Sequence, residues 1–168
     1  MDDLALQQLA ALARVSDRLE EAGIAYWLFG GWAVDFYVGS VTRAHEDLDL
    51  AVWLEDLPRI AELLREDSWH HAPLADEDGG TGYEREAVRL ELTYLVRDGE
   101  GRIFTPLHHA PGVWPEEAFE SNVGELRGVR SRLVSLTSLM RGKASPRDEP
   151  EDAAKDRADF SRLSRLGA

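Results

Sequence analysis

The sequence is Gly-Gly-Trp-Ala-Val-Asp over residues 30–35 and Thr-Arg-Ala-His-Glu-Asp-Leu-Asp-Leu over residues 42–50, and these two stretches decide the fold. The apolar run 24–29 before the glycines predicts a short buried strand, and residues 32–38 after them predict a short helix closed by Gly39. Glycines between a strand and a helix let the backbone approach a phosphate closely, and the first N–H groups of the helix favour an anion. We therefore expect an anion site at this turn.

Asp47 and Asp49 belong to the next predicted strand, residues 48–54, and to its approach. Residues i and i+2 of a strand project from the same face, so the two carboxylates are expected to converge. Like charges on one face repel each other, and a divalent cation removes that repulsion. Magnesium binds carboxylate oxygens together with substrate phosphates. The spacing therefore predicts a metal site beside the anion site, as a metal-bound triphosphate requires.

A third carboxylate, Glu91, lies in the strand predicted over residues 87–96. It projects from the face opposite the apolar residues of that strand, which are Val88, Leu90 and Leu92. Two interpretations remain open for it. It could belong to a solvated sheet face and pair with Arg89, or it could bind a second metal ion or act as the general base for an attacking hydroxyl.

The remaining segments predict a mixed α+β or α/β fold, a small mixed sheet flanked by helices. Further helices are predicted over residues 4–21, 57–66, 135–143 and 152–166, and further strands over residues 103–104 and 125–134. Residues 70–81 are expected to form a loop or frayed hairpin, and residues 145–150 a linker. The last helix is expected to turn Ala153, Phe160 and Leu163 inward.

Length and composition limit the possible functions. At 168 residues, the chain is expected to form a single domain, 1–168, with C-terminal helices 135–166 packed on it. The net charge of -13 disfavours a sequence-independent nucleic-acid binder and suits a cationic substrate or metal site, although it could also serve solubility alone. The sequence contains no cysteine, which excludes thiolate chemistry. Without a signal peptide or apolar span, a cytoplasmic protein is expected.

Several residues near the motif allow more than one interpretation. His45 could contact phosphate or a metal ligand, or make a purely structural hydrogen bond. Trp32 is expected in the core, and Asp35 is expected to form a salt bridge with Arg43. The pairs at 70–71 and 108–109 are the other histidines of the chain. Neighbouring strand residues point in opposite directions, so these pairs are not expected to bind zinc.

The acidic residues around the third predicted strand also allow two interpretations. They are Asp76, Glu77, Asp78, Glu84 and Glu86. A solvated loop is the preferred interpretation, and recognition of the ammonium groups of an amino sugar is the alternative, because charge complementarity would favour it.

The segment 30–50 resembles the signature of the polymerase-beta-like nucleotidyltransferase superfamily. More closely, it resembles the small lincosamide and aminoglycoside 2''-type nucleotidyltransferases, which carry Gly-Gly-Trp-x-x-Asp-x-x-x-Gly-x-x-Thr-Arg-x-His-x-Asp-x-Asp. Every fixed position is present, namely Gly30, Gly31, Trp32, Asp35, Gly39, Thr42, Arg43, His45, Asp47 and Asp49. The family's C-terminal helix often carries Arg-x-Lys-Asp. Here Lys155 and Asp156 are present, but Ala153 replaces the arginine.

The resemblance implies transfer of a nucleoside monophosphate, AMP from ATP, to a hydroxyl of a small molecule with release of pyrophosphate. An aminoglycoside or lincosamide would be the acceptor, so the resemblance also suggests antibiotic resistance. It implies two magnesium ions held by Asp47, Asp49 and Glu91, with Glu91 as the catalytic carboxylate. It also implies nucleotide binding by Gly30, Gly31, Arg43, His45 and Lys143.

Two alternatives to this function stay open. An enzyme of the same fold could modify a protein or a tRNA end, and a degenerate chain could bind a nucleotide without turnover. The acidic composition makes a nucleic-acid partner less attractive, and retention of all three carboxylates counts against a degenerate chain. No membrane partner is expected, and the chain could be a monomer or a homodimer.

Overall fold

The computed structural model describes residues 1–167, so Ala168, the last residue of the predicted domain, lies outside the described residues. Five α-helices are present: α1 (Asp3–Glu21), α2 (Gly30–Val38), α3 (Leu57–Glu66), α4 (Leu136–Ala144) and α5 (Pro150–Ser164). The strands are β1 (Tyr26–Phe29), β2 (Leu48–Trp53), β3 (His70–His71), β4 (Gly80–Arg85), β5 (Val88–Arg97), β6 (Ile103–Thr105), β7 (Gly112–Val113), β8 (Asn122–Leu126) and β9 (Val129–Leu133).

The strands form one mixed sheet in the order β3-β4-β5-β2-β1-β9-β8, and β6 and β7 extend the far end of β5. Strand β2 lies at the centre, parallel to β5 and antiparallel to β1. This register places Leu28, Leu50 and Leu92 in one row and Phe29, Asp49 and Glu91 in the next. The predicted mixed sheet flanked by helices is confirmed.

The two rows face different environments because side chains alternate across a strand. Leu28, Leu50 and Leu92 are buried in the core that α1 covers, and α1 contacts both β5 and β9. Apolar residues at helical spacing on α1, including Leu9 and Leu12, supply the other half of this core. The row that contains Asp49 faces the opposite side, towards α4 and α5.

Two predicted elements differ from the structure, and a third was predicted with two alternatives. Helix α2 begins at Gly30, two residues before the predicted start. Residues 70–81, predicted as a loop or frayed hairpin, contain β3 and the start of β4, which form an antiparallel hairpin. The single strand predicted over 125–134 is instead a hairpin of β8 and β9. Its turn consists of Arg127 and Gly128, both with positive φ (49° and 81°), as a two-residue hairpin turn requires.

The last helix also differs from the prediction. Helix α5 begins at Pro150, which suits a first turn because proline has no N–H to leave unpaired. Leu163 is buried as predicted, whereas Phe160 is 37% exposed. Two aspartates, Asp156 and Asp159, occupy the inward face instead. Within residues 1–167, no helix is long and apolar enough to cross a membrane.

Candidate active site

Three carboxylates converge at the C-terminal end of β1 and the N-terminal end of β2. Asp49 is the direct neighbour of Glu91 across the parallel β2–β5 pair, and Asp47 immediately precedes β2. One oxygen from each of the three side chains lies within 4.8 Å of the others. No other such cluster of His, Asp and Glu occurs in the part of the chain that the structure describes. The predicted convergence of these side chains is therefore present in the structure.

The cluster carries more negative charge than its surroundings neutralise. Burial, together with the charges of Asp47 and Glu91, raises the pKa of Asp49 well above its usual value. Burial and the charge of Glu91 likewise raise the pKa of Asp47. Arg89 is the direct ion-pair partner in this group, and its Nε donates to Glu91 Oε1 at 3.0 Å. Such a set of partly buried oxygen donors fits Mg²⁺, which prefers carboxylate oxygens and would relieve their repulsion.

The glycine turn is shaped by the side chains beside it. Gly30 has a φ of +70°, and a Cβ at this position would overlap the Asp49 carboxylate. A Cβ on Gly31 would come within 2.5 Å of His45 Nδ1 and 2.6 Å of Arg43 Nη2. The two glycines therefore let the start of α2 approach the carboxylates on one side and the side chains of His45 and Arg43 on the other.

His45 belongs to a buried network beneath this turn. Its Nε2 lies 2.5 Å from Asp35 Oδ2, and its ring packs against buried Trp32. Asp35 Oδ1 also accepts hydrogen bonds from the backbone N–H and the hydroxyl of Thr42. Asp35 therefore fixes His45 and Thr42, and the predicted salt bridge from Asp35 to Arg43 is wrong. His45 Nδ1 faces Gly31, so a contact to a bound phosphate remains open to this histidine.

Arg43 instead pairs with a residue far along the chain. Its Nη2 donates to Asp159 Oδ2 at 2.9 Å, and Lys143 Nζ lies 3.1 Å from the same oxygen. Lys143 also donates to Asp156 Oδ1 at 3.1 Å. Helix α5 thus connects two of the predicted nucleotide-binding residues.

The carboxylates and the cations line one cleft of about 550 Å³. The residues predicted for the site that line it are Gly30, Gly31, Arg43, His45, Asp47, Asp49, Glu91 and Lys143. Arg147, Asp152, Lys155 and Asp156 line it as well, although the sequence analysis did not assign them to the site. Two signals point to Lys155, namely its match to the Lys-Asp part of the family's C-terminal run and the composition of the chain. Lys155 and Lys143 are the only lysines in the sequence, and both line the cleft.

Phe29 and Trp114 give the cleft an aromatic wall that the sequence analysis did not predict. Their ring centroids are 5.7 Å apart in an edge-on arrangement, and Phe29 is the cross-strand neighbour of Asp49. Trp114 Nε1 donates to Thr105 Oγ1 at 2.9 Å, which fixes the orientation of the indole. An aromatic wall next to the carboxylates allows the ring of a substrate to pack there.

The acidic residues around β4 do not line this cleft. Glu84 pairs with Arg89, and Asp78 Oδ1 accepts a hydrogen bond from the backbone N–H of His108. Glu77 lines a separate hollow that also contains His71. The acidic side chains of the cleft outside the carboxylate cluster are Glu46, Asp152 and Asp156.

A mixed sheet with three carboxylates beside a Gly-Gly helix start defines the nucleotidyltransferase fold. The solved lincosamide antibiotic adenylyltransferase LnuA, with lincomycin bound, has this fold: it is 20% identical, with a TM-score of 0.69 over 89% of this chain and 92% of that chain. The model of the aminoglycoside-2''-adenylyltransferase family matches residues 11–163, and the chain belongs to that family. The resemblance found in the sequence is thereby confirmed.

Other relatives agree with this assignment. ANT(2'')-Ia, solved in complex with adenylyl-2''-tobramycin, is 18% identical, with a TM-score of 0.68 over 95% of this chain and 94% of that chain. A 2''-aminoglycoside nucleotidyltransferase of Escherichia coli is 35% identical over 116 residues, which are 67% of this chain and 53% of that relative. One from Klebsiella pneumoniae is 37% identical over the same shares. The match thus spans about half the length of these curated relatives.

Proposed function

We propose that the protein transfers a nucleoside monophosphate, AMP from ATP, to a hydroxyl group of a small cationic molecule and releases pyrophosphate. The convergence of Asp47, Asp49 and Glu91 beside the Gly30–Gly31 turn carries this proposal. Nothing in core packing requires three carboxylates within 4.8 Å of one another, whereas a metal-bound triphosphate requires such a group.

Glu91 is the proposed general base. Arg89 holds its Oε1, which orients the carboxylate and leaves Oε2 to take a proton from the acceptor hydroxyl. As that proton leaves, the hydroxyl oxygen forms a bond to the α-phosphorus, and the bond from this phosphorus to the pyrophosphate oxygen breaks. Asp47, Asp49 and Glu91 would hold the two magnesium ions expected here, which supply positive charge against the phosphate oxygens.

The other side of the cleft binds the phosphates in this proposal. Arg43 and Lys143 line the cleft, and the backbone N–H groups at the start of α2 favour an anion. His45 Nδ1 faces the same turn. Together these groups would bind the triphosphate and stabilise the negative charge of the leaving pyrophosphate.

An aminoglycoside or a lincosamide is the proposed acceptor. The names of the family and of its curated relatives refer to aminoglycosides and to the 2'' position, and the solved LnuA contains lincomycin. Amino groups on the acceptor would be attracted by Glu46 and Asp152 and by the net charge of -13. The rings of Phe29 and Trp114 offer a surface for a sugar ring.

The test uses a panel of aminoglycosides and lincosamides, each incubated with magnesium and each of the four common NTPs. The mass of every product is measured by mass spectrometry. We expect at least one acceptor to gain a nucleoside monophosphate, only when magnesium is present, with one pyrophosphate released per product. An Asp49→Asn variant should form product about a thousandfold more slowly, or not at all. A wild-type protein that binds ATP but modifies no member of the panel would contradict the proposed acceptor class. Modified tRNA or protein in a parallel incubation would then favour the macromolecular alternative.

A further inference from the structure

Asp159 is an unusual residue for the inward face of a helix. Its side chain is 1% exposed, yet it is charged, and it lies between Asp156 and Leu163 on the buried face of α5. It lines no part of the cleft, so it cannot contact a bound substrate there directly. Buried ion pairs contribute little to stability compared with apolar packing of similar volume. Stability alone therefore does not explain a carboxylate at this position.

Two side chains that line the cleft, Arg43 and Lys143, contact the Asp159 carboxylate. Oδ2 accepts from Arg43 Nη2 at 2.9 Å and lies 3.1 Å from Lys143 Nζ, while Oδ1 lies 3.3 Å from Arg43 Nε. The guanidinium of Arg43 is thus held by both carboxylate oxygens in a forked arrangement, which fixes its plane as well as its position. Outside the cleft, Arg162 Nη1 donates to Oδ1 at 3.1 Å.

Asp159 remains ionised in this environment. Burial alone would raise the pKa of its carboxyl group, but the hydrogen bond from Arg43 and the charge of Lys143 outweigh burial and bring the pKa below its usual value. Asp156 adds a second anchor for Lys143, at 3.1 Å, from one turn earlier on the same helix. Without these ion pairs, the long side chains of Arg43 and Lys143 would be free to populate many rotamers.

We propose that Asp159 is a positioning residue that holds Arg43 and Lys143 in one fixed arrangement towards the triphosphate, and that Asp156 assists it at Lys143. The inference rests on the proposed function, since it takes the ligand of the two cations to be the phosphates of an NTP. It adds α5 to the nucleotide site through residues that need not contact the nucleotide. The physical gain is that the ordering of the two side chains is complete before the nucleotide binds.

The sign of the effect separates this proposal from simple electrostatics. Asp159→Asn removes a negative charge close to the phosphate site, so charge alone would make ATP bind more tightly. Positioning makes the opposite prediction, because the amide cannot hold both cations and they would have to be ordered by the ligand. The amide keeps the size of the side chain, so the packing of α5 changes little.

The experiment measures dissociation constants of ATP and of AMP, each with magnesium and without an acceptor, by titration calorimetry. Wild type should bind ATP more tightly than AMP, because ATP has two more phosphates for the cations to contact. In Asp159→Asn, we expect ATP affinity to fall about tenfold, from the loss of charge-assisted contacts, while AMP affinity stays nearly unchanged. A merely structural role would weaken both nucleotides alike or neither.

Arg162→Gln is the matched control. It removes another ion pair of Asp159 but leaves Arg43 and Lys143 in place, and Arg162 does not line the cleft. We expect the ratio of the two dissociation constants to stay at the wild-type value. An equal loss in this variant would overturn the proposal, because the effect would then follow from general destabilisation of α5.

Asp156→Asn keeps the proposal testable if Asp159→Asn does not fold. Its expected effect has the same sign and is smaller, since Asp156 holds Lys143 but not Arg43. Unchanged or tighter ATP binding in either folded variant would refute positioning. This binding measurement needs no acceptor, so its outcome does not depend on whether the transfer assay succeeds.

Discussion

The two sides of the cleft differ in how their charges are balanced. On the strand side, Asp47, Asp49 and Glu91 crowd together with Arg89 as their direct ion-pair partner. On the helix side, Arg43 and Lys143 are each paired with buried aspartates of α5. The pKa values follow this difference, since that of Asp49 is raised by burial and neighbouring carboxylates, whereas that of Asp159 is lowered by its cations despite burial.

The difference shows what each side needs from a ligand. An unbalanced carboxylate cluster is unstable alone and becomes stable when a cation binds, so it indicates a metal site. A balanced cluster is already ordered without a ligand and indicates pre-organisation. A metal-bound triphosphate would meet both needs, because its metal would neutralise the strand side and its phosphates would reach the helix side.

Loss of the central carboxylate should have the largest effect. Asp49→Asn should lower transfer about a thousandfold or more, because a metal ion supplies several kcal/mol to the transition state. The same variant should melt at a slightly higher temperature than metal-free wild type, since one repulsive charge is gone. Initial rates and thermal melts check both outcomes, with exposed Asp17→Asn on α1 as the control. A variant that loses activity through unfolding would contradict the metal-site interpretation.

The second largest effect is expected for Glu91→Gln. This variant should lower the rate of transfer about 100-fold or more, because it removes the general base. The matched control is Glu84→Gln. Glu84 pairs with the same Arg89, at 3.1 Å, but does not belong to the carboxylate cluster. Rates measured at saturating ATP and acceptor should separate the two variants clearly. Equal losses would mean that the Arg89 ion pairs matter and that Glu91 has no special role.

The two glycines at the start of α2 allow each side to be disturbed separately. Gly30→Ala should weaken magnesium binding, because its Cβ meets Asp49, and should lower stability by about 1–2 kcal/mol, because φ is positive. Gly31→Ala should weaken ATP binding instead, because its Cβ meets His45 and Arg43. Gly39→Ala has a positive φ with open space around it and reports the backbone cost alone. The same defect in Gly30→Ala and Gly31→Ala would remove the distinction between the two sides.

The strand side could be predicted from the sequence because it depends on local rules. Asp47 and Asp49 are two positions apart, so the period of a strand brings them together, and Glu91 lies on the open face of an alternating strand. The glycine turn is equally local. The class of the fold and the convergence of the three carboxylates could therefore be predicted from pattern and resemblance.

The helix side could not be predicted in the same way. Arg43 meets Asp159 across 116 positions of the chain, and no periodic pattern encodes that pairing. Hydrophobicity instead predicted that Phe160 faces inward. An aspartate can occupy the buried face only because cations from other elements pair with it, and the sequence of the helix does not show those cations. For residues 70–81 the sequence left a loop and a frayed hairpin open for a related reason. Gly80 suggests a loop, but it is required because β4 passes so close to the backbone of Leu92.

The smallest expected effect is a difference in how stability depends on pH. The pKa of Asp49 is raised in the folded protein, so its contribution to stability is present below the unfolded value of about 3.9 and is lost as pH rises through the folded value. The pKa of Asp159 is lowered, so its contribution is present above about 3.9 and is lost as pH falls through the folded value. The two sides should thus respond to pH with opposite signs.

Melting temperatures of metal-free wild type, Asp49→Asn and Asp159→Asn between about pH 2 and pH 8 would measure this difference. As pH rises from about 4, the melting temperature of Asp49→Asn should rise relative to that of wild type, because only wild type must ionise the crowded carboxylate of Asp49. Asp159→Asn should be the less stable protein at neutral pH and approach wild type as pH falls. Magnesium should raise the melting temperature of wild type above that of Asp49→Asn. If both variants shift in the same direction at neutral pH, the two clusters do not differ in charge balance, and the division of the cleft into a metal side and a pre-organised phosphate side is wrong.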